Sequence, residues 1–286
     1  MTVRTGDRVL VTGAASGFGL ALTTALLDRG CRVLATDVHA PTPPTLDALG
    51  AGAGGTLAYR RLDVTSEADW AAALDDAEQR WSGLDVLVNN AGVAAGGPID
   101  ATTEDGWDRI TGINLLGVAR GCRTVAPLMK KRRAGLIVNV ASAAGLVHPP
   151  RMSEYNAVKA GVVALSETLR WELEPYGVGV AVVCPSFFRT NLADSIHGPD
   201  PSAADSARAL IEGSSRSAAD VAGETLRQLD AGRHLVLPDR DARLAYLAKR
   251  FLPALYRAAM RRAATKAAAE EQSATGARTD GAKVVG

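Results

Sequence analysis

Val9-Leu10-Val11-Thr12-Gly13-Ala14-Ala15-Ser16-Gly17-Phe18-Gly19-Leu20-Ala21-Leu22-Thr23-Thr24-Ala25 changes character twice. Val9-Leu10-Val11 has the pattern of a buried strand. The glycines at 13, 17 and 19 break it, and Leu20, Ala21, Leu22 and Ala25 resume at helical spacing. A strand, a glycine turn and a helix present free backbone N–H groups to a phosphate at the helix N-terminus. Glycine suits such a turn because a Cβ holds a pyrophosphate away from the backbone. The spacing is Gly-x-x-x-Gly-x-Gly rather than Gly-x-Gly-x-x-Gly. Ordinary strand–helix turns can share it, so the residues downstream decide.

Those residues keep alternating strand with helix. Strands are expected at Cys31–Asp37, Leu57–Asp63, Leu84–Val88, Leu136–Val140, Val178–Cys184 and His234–Leu237. Helical patterns lie between them, over 66–82, 107–131, 153–175 and 218–230, and residues 40–56 read as loop with at most a short helix. Alternation of this kind requires right-handed crossovers and a parallel sheet. The fold class is therefore α/β, a doubly wound parallel sheet (Rossmann fold) in a single domain over residues 1–239, with its ligand at the carboxyl ends of the strands. A basic amphipathic helical extension is expected over 240–267, followed by a disordered tail over 268–286.

The totals narrow the function. The chain has 286 residues, 47% of them hydrophobic, and a formal net charge of +1. Such a balance provides no global field for a polyanion, so nucleic acid is not an expected partner. Cys31, Cys122 and Cys184 lie far apart in apolar contexts and read as buried thiols rather than disulfides or metal ligands. With no basic-then-apolar leader and no apolar run of about 18 residues, a cytoplasmic location is expected.

Three features bear chemistry. Asp37 closes the second strand, 18 positions after Gly19, close to the ~20 expected of an acid that binds the adenosine ribose hydroxyls. A carboxylate there repels a 2′-phosphate, and no Lys or Arg lies in the glycine loop or just after Asp37. NAD is therefore expected rather than NADP. Tyr155 and Lys159 are four residues apart, on one helix face. An ammonium beside a phenol favours the phenolate and prepares it for proton transfer. Ser142 ends a strand, where its hydroxyl can polarise a carbonyl. Asn114 is a polar residue in an apolar stretch, either satisfied structure or part of a relay.

In order, Thr12-Gly13-x-x-x-Gly17-x-Gly19, Asp63, Asn89-Asn90-Ala91-Gly92, Asn114, Ser142, Tyr155-x-x-x-Lys159 and Pro185-Ser186 with Thr190 resemble the classical short-chain dehydrogenases/reductases over about residues 6–239. The resemblance implies that Tyr155 is the general acid/base and that Lys159 lowers its pKa and bonds the nicotinamide ribose. Ser142 would orient the substrate oxygen, and Asn114 would hold a water linking Lys159 to solvent. Gly13, Ser16, Gly17, Phe18 and Gly19 would form the dinucleotide turn. Asp63 and Val64 would meet the adenine, Asn90, Ala91 and Gly92 would border the adenosine side, Thr190 would meet the carboxamide or phosphate, and Pro185 would be among the cofactor-binding residues. The implied reaction is reversible hydride transfer between a secondary alcohol and NAD⁺, in a homodimer or homotetramer. Ser186 and Arg189 depart from the family pattern. A non-catalytic nucleotide sensor on the same fold is the alternative, and the intact Ser142/Tyr155/Lys159 set argues against it.

Ala94, Ala95, Ala144, Leu146, His148, Phe187, Phe188 and Leu192 are expected to form an apolar pocket for a bulky alcohol or ketone, with His148 more plausible as a loop residue than a catalytic one. The Gly/Pro loop near residue 198 is a candidate lid. Beyond it, Arg240 to Lys266 holds eight Lys/Arg against one acid, a local +7 that leaves −6 for the rest of the chain. Leu244, Leu247, Phe251, Leu255 and Ala258 recur there at helical spacing, and Pro253 should split the helix. Such a helix can lie on an anionic membrane. The favoured expectation is that its apolar stripe packs on this protein's own body or a sister subunit.

Overall fold

Near-continuous apolar strands need cover on both faces, and the computed structural model provides it. It describes residues 2–52, 54–189, 208–209 and 212–282, with side chains as far as residue 269. Seven strands, β1 (Arg8–Thr12), β2 (Arg32–Asp37), β3 (Leu57–Arg61), β4 (Val86–Asn89), β5 (Gly135–Val140), β6 (Val178–Val183) and β7 (Leu235–Val236), form one sheet in the order 3-2-1-4-5-6-7. Every pairing is parallel, with Val9 beside Val33 on one flank and beside Val86 on the other. The strand order reverses between β1 and β4, and a crevice opens there beyond their carboxyl ends.

Alternate strand residues face opposite layers. Val9, Val11, Val33 and Val88 point toward α1 (Gly17–Asp28), meeting Phe18, Leu22 and Leu26. They share that layer with Val221, Leu226 and Leu229 of α8 (Ala218–Asp230), which Ser217 and Asp220 start with a capping box. Leu10, Leu34, Leu87 and Ile137 point the other way. They meet Trp70 and Ala77 of α3 (Glu67–Trp81), Val125 and Met129 of α5 (Gly117–Arg132), and Val162 and Val163 of α7 (Ser153–Leu173). Ser66 caps α3 by accepting from the Asp69 N–H, as its sequence suggests.

Three elements differ from the sequence expectation. Residues 40–56 hold a genuine helix, α2 (Pro44–Gly52), anchored by fully buried Leu46. The helix expected over 107–131 is instead α4 (Glu104–Thr111), a wide π-turn over Gly112–Leu116, and then α5. Such bulges concentrate at functional sites, and this one carries Asn114. Finally, the helical geometry continues to Ala282 rather than turning irregular at 268, in keeping with the Ala- and Glu-rich run from Ala267 to Glu271.

Pro253 does split the extension, into α9 (Arg240–Phe251) and α10 (Pro253–Ala282). Its apolar stripe does not pack on this chain's own body. Leu244, Leu247, Phe251 and Leu255 are 40–66% exposed, and among α9 residues only Ala242 is buried. Ala242 is buried and Tyr246 packs on the core, and the remaining docking contacts are polar, as described below. No helix among the described residues is long and apolar enough to cross a membrane.

At the opposite end of the sheet from the crevice, Asp85 ties three elements together. Its carboxylate accepts from Arg8 Nε and Nη2 at 2.6 Å each, from the Arg8 backbone N–H at 3.0 Å and from Arg132 Nη2 at 2.7 Å. Burial alone raises its pKa, but these bonds outweigh burial and hold the carboxyl well below the usual carboxylate range. Asp85→Ala leaves both guanidiniums with backbone carbonyls as their remaining partners and should lower unfolding free energy by about 1.5–3 kcal/mol in a urea melt. An unchanged midpoint would contradict this account.

Candidate active site

The glycine turn is held from below. Asn90 Nδ2 donates to Thr12 O at 2.9 Å and to Gly13 O at 3.1 Å, while Thr12 Oγ1 accepts from the N–H groups of Asn90 and Ala91 at 3.0 Å each. The end of β4 thus clasps the end of β1. Gly13 and Gly17 adopt φ of +63° and +53°, in the left-handed region that favours glycine. Gly19 is needed for a different reason. A Cβ there would lie 2.0 Å from Gly13 O and 2.4 Å from Asn90 Nδ2. Its space is filled by the turn's own backbone, not reserved for a ligand alone. Asn90, expected only to border the adenosine side, is the clasp itself.

Above this turn a cavity of about 950 Å³ runs along the strand ends. Gly13, Ser16, Gly17, Phe18, Gly19, Asp37, Asp63, Val64, Asn90, Ala91 and Gly92 line one end. Ser142, Tyr155, Lys159 and Pro185 line the other. Of the expected dinucleotide residues only Thr190 is missing from the lining, because it lies outside the described residues, as do Leu192 and the candidate lid near residue 198. The cavity suits a dinucleotide on three counts. Ser16 heads α1 without using its side chain as a cap, and no acid occupies the first turn, so the helix N-terminus is open to an anion. Asp37 is fixed at the rim by accepting from the Ala15 N–H at 3.1 Å and the Val38 N–H at 2.8 Å. Asp63 holds its loop by accepting from Thr65 N and Oγ1 at 2.9 and 2.7 Å.

At the inner end the chemistry-bearing side chains are dry. Tyr155 is 7% exposed and Lys159 4%. Burial pushes the Tyr155 phenol up to about 12, against the pull of its hydrogen bond with the Ser142 hydroxyl. Burial likewise pushes the Lys159 ammonium down to about 8. Lys159 Nζ lies 5.7 Å from the Tyr155 ring centre and donates to Val140 O at 3.0 Å. Desolvation thus outweighs the lowering expected from the lysine. At neutral pH the phenol is a proton donor and the lysine remains charged.

Asn114 is fully buried and spends its side chain on Val93, accepting from its N–H and donating to its carbonyl at 2.8 Å each. The polar side chain of Asn114 is thereby satisfied within the structure. It also brings the Asn90–Gly92 turn against Lys159: a Cβ on Gly92 would meet Asn114 Oδ1 at 3.2 Å and Lys159 Nζ at 3.6 Å. Ser142 is set by the Ala144 N–H, which donates to its Oγ at 3.1 Å. Behind it α6 (Ala144–Val147) lies so close to α7 that a Cβ on Gly145 would sit 2.6 Å from the Lys159 carbonyl.

The pocket set is partly corrected. Ala94, Ala95, Ala144, Phe187 and Phe188 line the cavity. Leu146 does not, being buried in the core beneath the sheet, and neither does His148. The His148 ring turns outward, with Nε2 3.1 Å from Gly145 O and Nδ1 2.8 Å from Lys249 Nζ. Sequence reading missed Arg109, Ile113, Val147, Met152, Ala263 and Ala267. Spacing of four links 109 with 113 and 263 with 267, but alanines carry no chemical signal. Ser186, unusual for the family, donates its N–H to Asp239 Oδ2 at 2.8 Å, and Arg216 Nη1 lies 3.2 Å from Asp239 Oδ1.

The short chain dehydrogenase family matches residues 7–200. This chain belongs to the short-chain dehydrogenases/reductases. The chain is similar to a short chain dehydrogenase/reductase from Burkholderia phymatum solved in complex with NAD, with a TM-score of 0.79 and 33% identity, covering 88% of this chain and 97% of that one. Cyclopentanol dehydrogenase of Comamonas sp. (strain NCIMB 9872) is 36% identical over 209 residues, 73% of this chain and 82% of the relative. The 3-alpha-(or 20-beta)-hydroxysteroid dehydrogenase of Mycobacterium tuberculosis (strain ATCC 25618 / H37Rv) is 36% identical over 193 residues, 66% and 72% of the two chains. As a family member the protein is an oxidoreductase acting on CH–OH groups.

The crowding at Gly19 gives a direct check. Gly19→Ala should abolish NADH binding, read by quenching or by transfer to the bound nicotinamide, and lower the melting temperature as the Asn90 clasp opens. Undiminished binding would show that the turn yields without loss.

Proposed function

We propose that the protein interconverts a hydrophobic secondary alcohol and its ketone using NAD(H), with Tyr155 as the acid/base. The observation that carries this reading is the dry Ser142–Tyr155–Lys159 cluster at one end of a cavity whose other end is an uncapped helix N-terminus beside Asp37. The glycine turn from Gly13 to Gly19 would hold the pyrophosphate. Asp37 would take the adenosine ribose hydroxyls, Asp63 and Val64 the adenine, and Lys159 the nicotinamide ribose, with Pro185 and Thr190 near the carboxamide or phosphate. When bound, the nicotinamide supplies or accepts the hydride.

The chain's own part is proton handling and placement. Ser142 Oγ donates to the substrate oxygen and fixes it near the Tyr155 hydroxyl. For reduction, Tyr155 Oη gives its proton to that oxygen as the carbonyl carbon becomes tetrahedral. For oxidation, the phenolate oxygen takes the hydroxyl proton. A phenol pushed up to about 12 needs positive charge nearby before it can serve as that base. The Lys159 ammonium supplies part of it from within the pocket, so its value of about 8 places a loss of activity as pH rises above that value.

NAD is preferred over NADP because Asp37 stands where a 2′-phosphate would sit. Arg61 is paired with Asp69 at 2.6 Å, and neither Arg61 nor Arg60 lines the cavity. The Burkholderia relative's complex with NAD agrees with that preference. The apolar cavity walls favour a hydrophobic substrate, and a dimer or tetramer is proposed from family membership.

Turnover of a hydrophobic ketone panel, followed by NADH absorbance, tests this reading. The unaltered protein should favour NADH over NADPH by roughly tenfold or more in kcat/KM. Tyr155→Phe should keep NADH binding and lose at least about a hundredfold in kcat. Full activity in Tyr155→Phe would remove the mechanism, and equal use of both cofactors would remove the role of Asp37.

A further inference from the structure

The family match ends at residue 200, yet the extension beyond Asp239 reaches the active site. The contact is made through α6, the short helix between Ser142 and Tyr155. The last carbonyls of any helix lack intrahelical partners. Those of α6 are taken one after another: Gly145 O faces His148 Nε2, Leu146 O accepts from Lys249 Nζ at 2.6 Å, and Val147 O accepts from the Tyr256 hydroxyl. Two of the three partners come from the extension. A lysine at a helix C-terminus is also favoured by the helix dipole. Further along, Arg151 Nη1 donates to Ala267 O at 3.1 Å. At the root, Asp239 holds the backbone N–H of Ser186, next to Phe187 of the cavity wall.

These ties lay α10 across the substrate end of the cavity. Ala263 and Ala267, four residues apart and on one helix face, line it together with Val147, Met152 and Tyr155. Resting on the oxidoreductase reading above, we propose that α10 is the outer wall of the substrate pocket and that Ala263 and Ala267 determine which substrates fit. Their small methyl groups leave room in the cavity beside Val147 and Met152, suited to an alcohol or ketone with an extended hydrocarbon arm. The reacting oxygen sits at Ser142 and Tyr155, and the arm runs outward beneath α10. The polar ties to α6 fix the height of this wall. They also explain why the extension docks although its large apolar side chains face away.

Two full-chain variants test the wall. With a series of methyl ketones of increasing chain length and NADH, Ala267→Trp should raise the ratio of KM for the longest ketone to KM for the shortest by roughly tenfold or more, because the arm loses its space. NADH affinity, measured separately, reports on the cofactor end. Ala267→Cys places a thiol in the wall, and the native Cys31, Cys122 and Cys184 are all buried, so background alkylation is low. Its alkylation should slow severalfold when the longest ketone is added with NADH. A KM ratio that stays constant along the series, together with alkylation indifferent to ketone, would overturn the proposal. Failure of the unaltered protein to reduce any ketone, with alkylation of Ala267→Cys still slowed by the longest ketone, would instead overturn the oxidoreductase reading and leave the wall standing.

Discussion

An ammonium and a phenol buried together are the constraint on which the rest of this site depends. Lys159 has lost nearly all contact with water and keeps one backbone carbonyl, Val140 O, as its hydrogen-bond partner. Desolvating a charge is costly unless other groups compensate. Its surroundings are accordingly built with little freedom. Gly145 has no room for a side chain, because a Cβ there would sit 2.6 Å from the Lys159 carbonyl, and Gly92 packs beside the ammonium, where a Cβ would meet Nζ at 3.6 Å. Asn114 occupies a π-turn so that its amide can hold Val93 and close the space beside the ammonium. The same dryness holds Tyr155 in its protonated form and makes its ionisation responsive to any positive charge brought alongside it.

That cluster works only if a cofactor is delivered to it, and delivery is a matter of strand order. The reversal between β1 and β4 opens the crevice, and the Asn90 clasp fixes the turn that forms its floor. Burial of Val9, Val11, Val88 and Val138 against α1 and α8 holds the strands that carry the clasp. The sheet's core, the turn and the proton-transfer groups thus form one continuous assembly running from β1 to α7.

Much of this was legible in the residues, because the signals are local. Gly13, Gly17 and Gly19 mark the turn, Asp37 the end of β2, Ser66 a helix cap and Pro253 a helix break, and each depends on backbone geometry within a few positions. What escaped was set by tertiary contact. Nothing local distinguishes Asn89, whose amide bonds Asn139 inside the sheet, from Asn90, which holds the turn. The π-turn at Gly112–Leu116 accompanies Asn114 reaching Val93, a partner 21 residues back in the chain and outside its own helix. Leu146 and His148 resemble pocket residues in sequence, yet the tight approach of α6 to α7 turns one into the core and the other toward Lys249. Ala263 and Ala267 carry no chemical signature, and the apolar stripe of the extension misdirects attention from the polar ties that actually seat it.

The most direct test of this account is the ionisation of Tyr155 itself. Phenolate absorbance is titrated with and without saturating NAD⁺, and the same titration on Tyr155→Phe is subtracted to isolate the one residue. Alone, Tyr155 should ionise near 12, and NAD⁺ should move that ionisation markedly toward neutrality. A phenol that titrates like an ordinary exposed tyrosine, unmoved by the dinucleotide, would contradict the claim that burial restrains it and that charge at the cofactor site releases it.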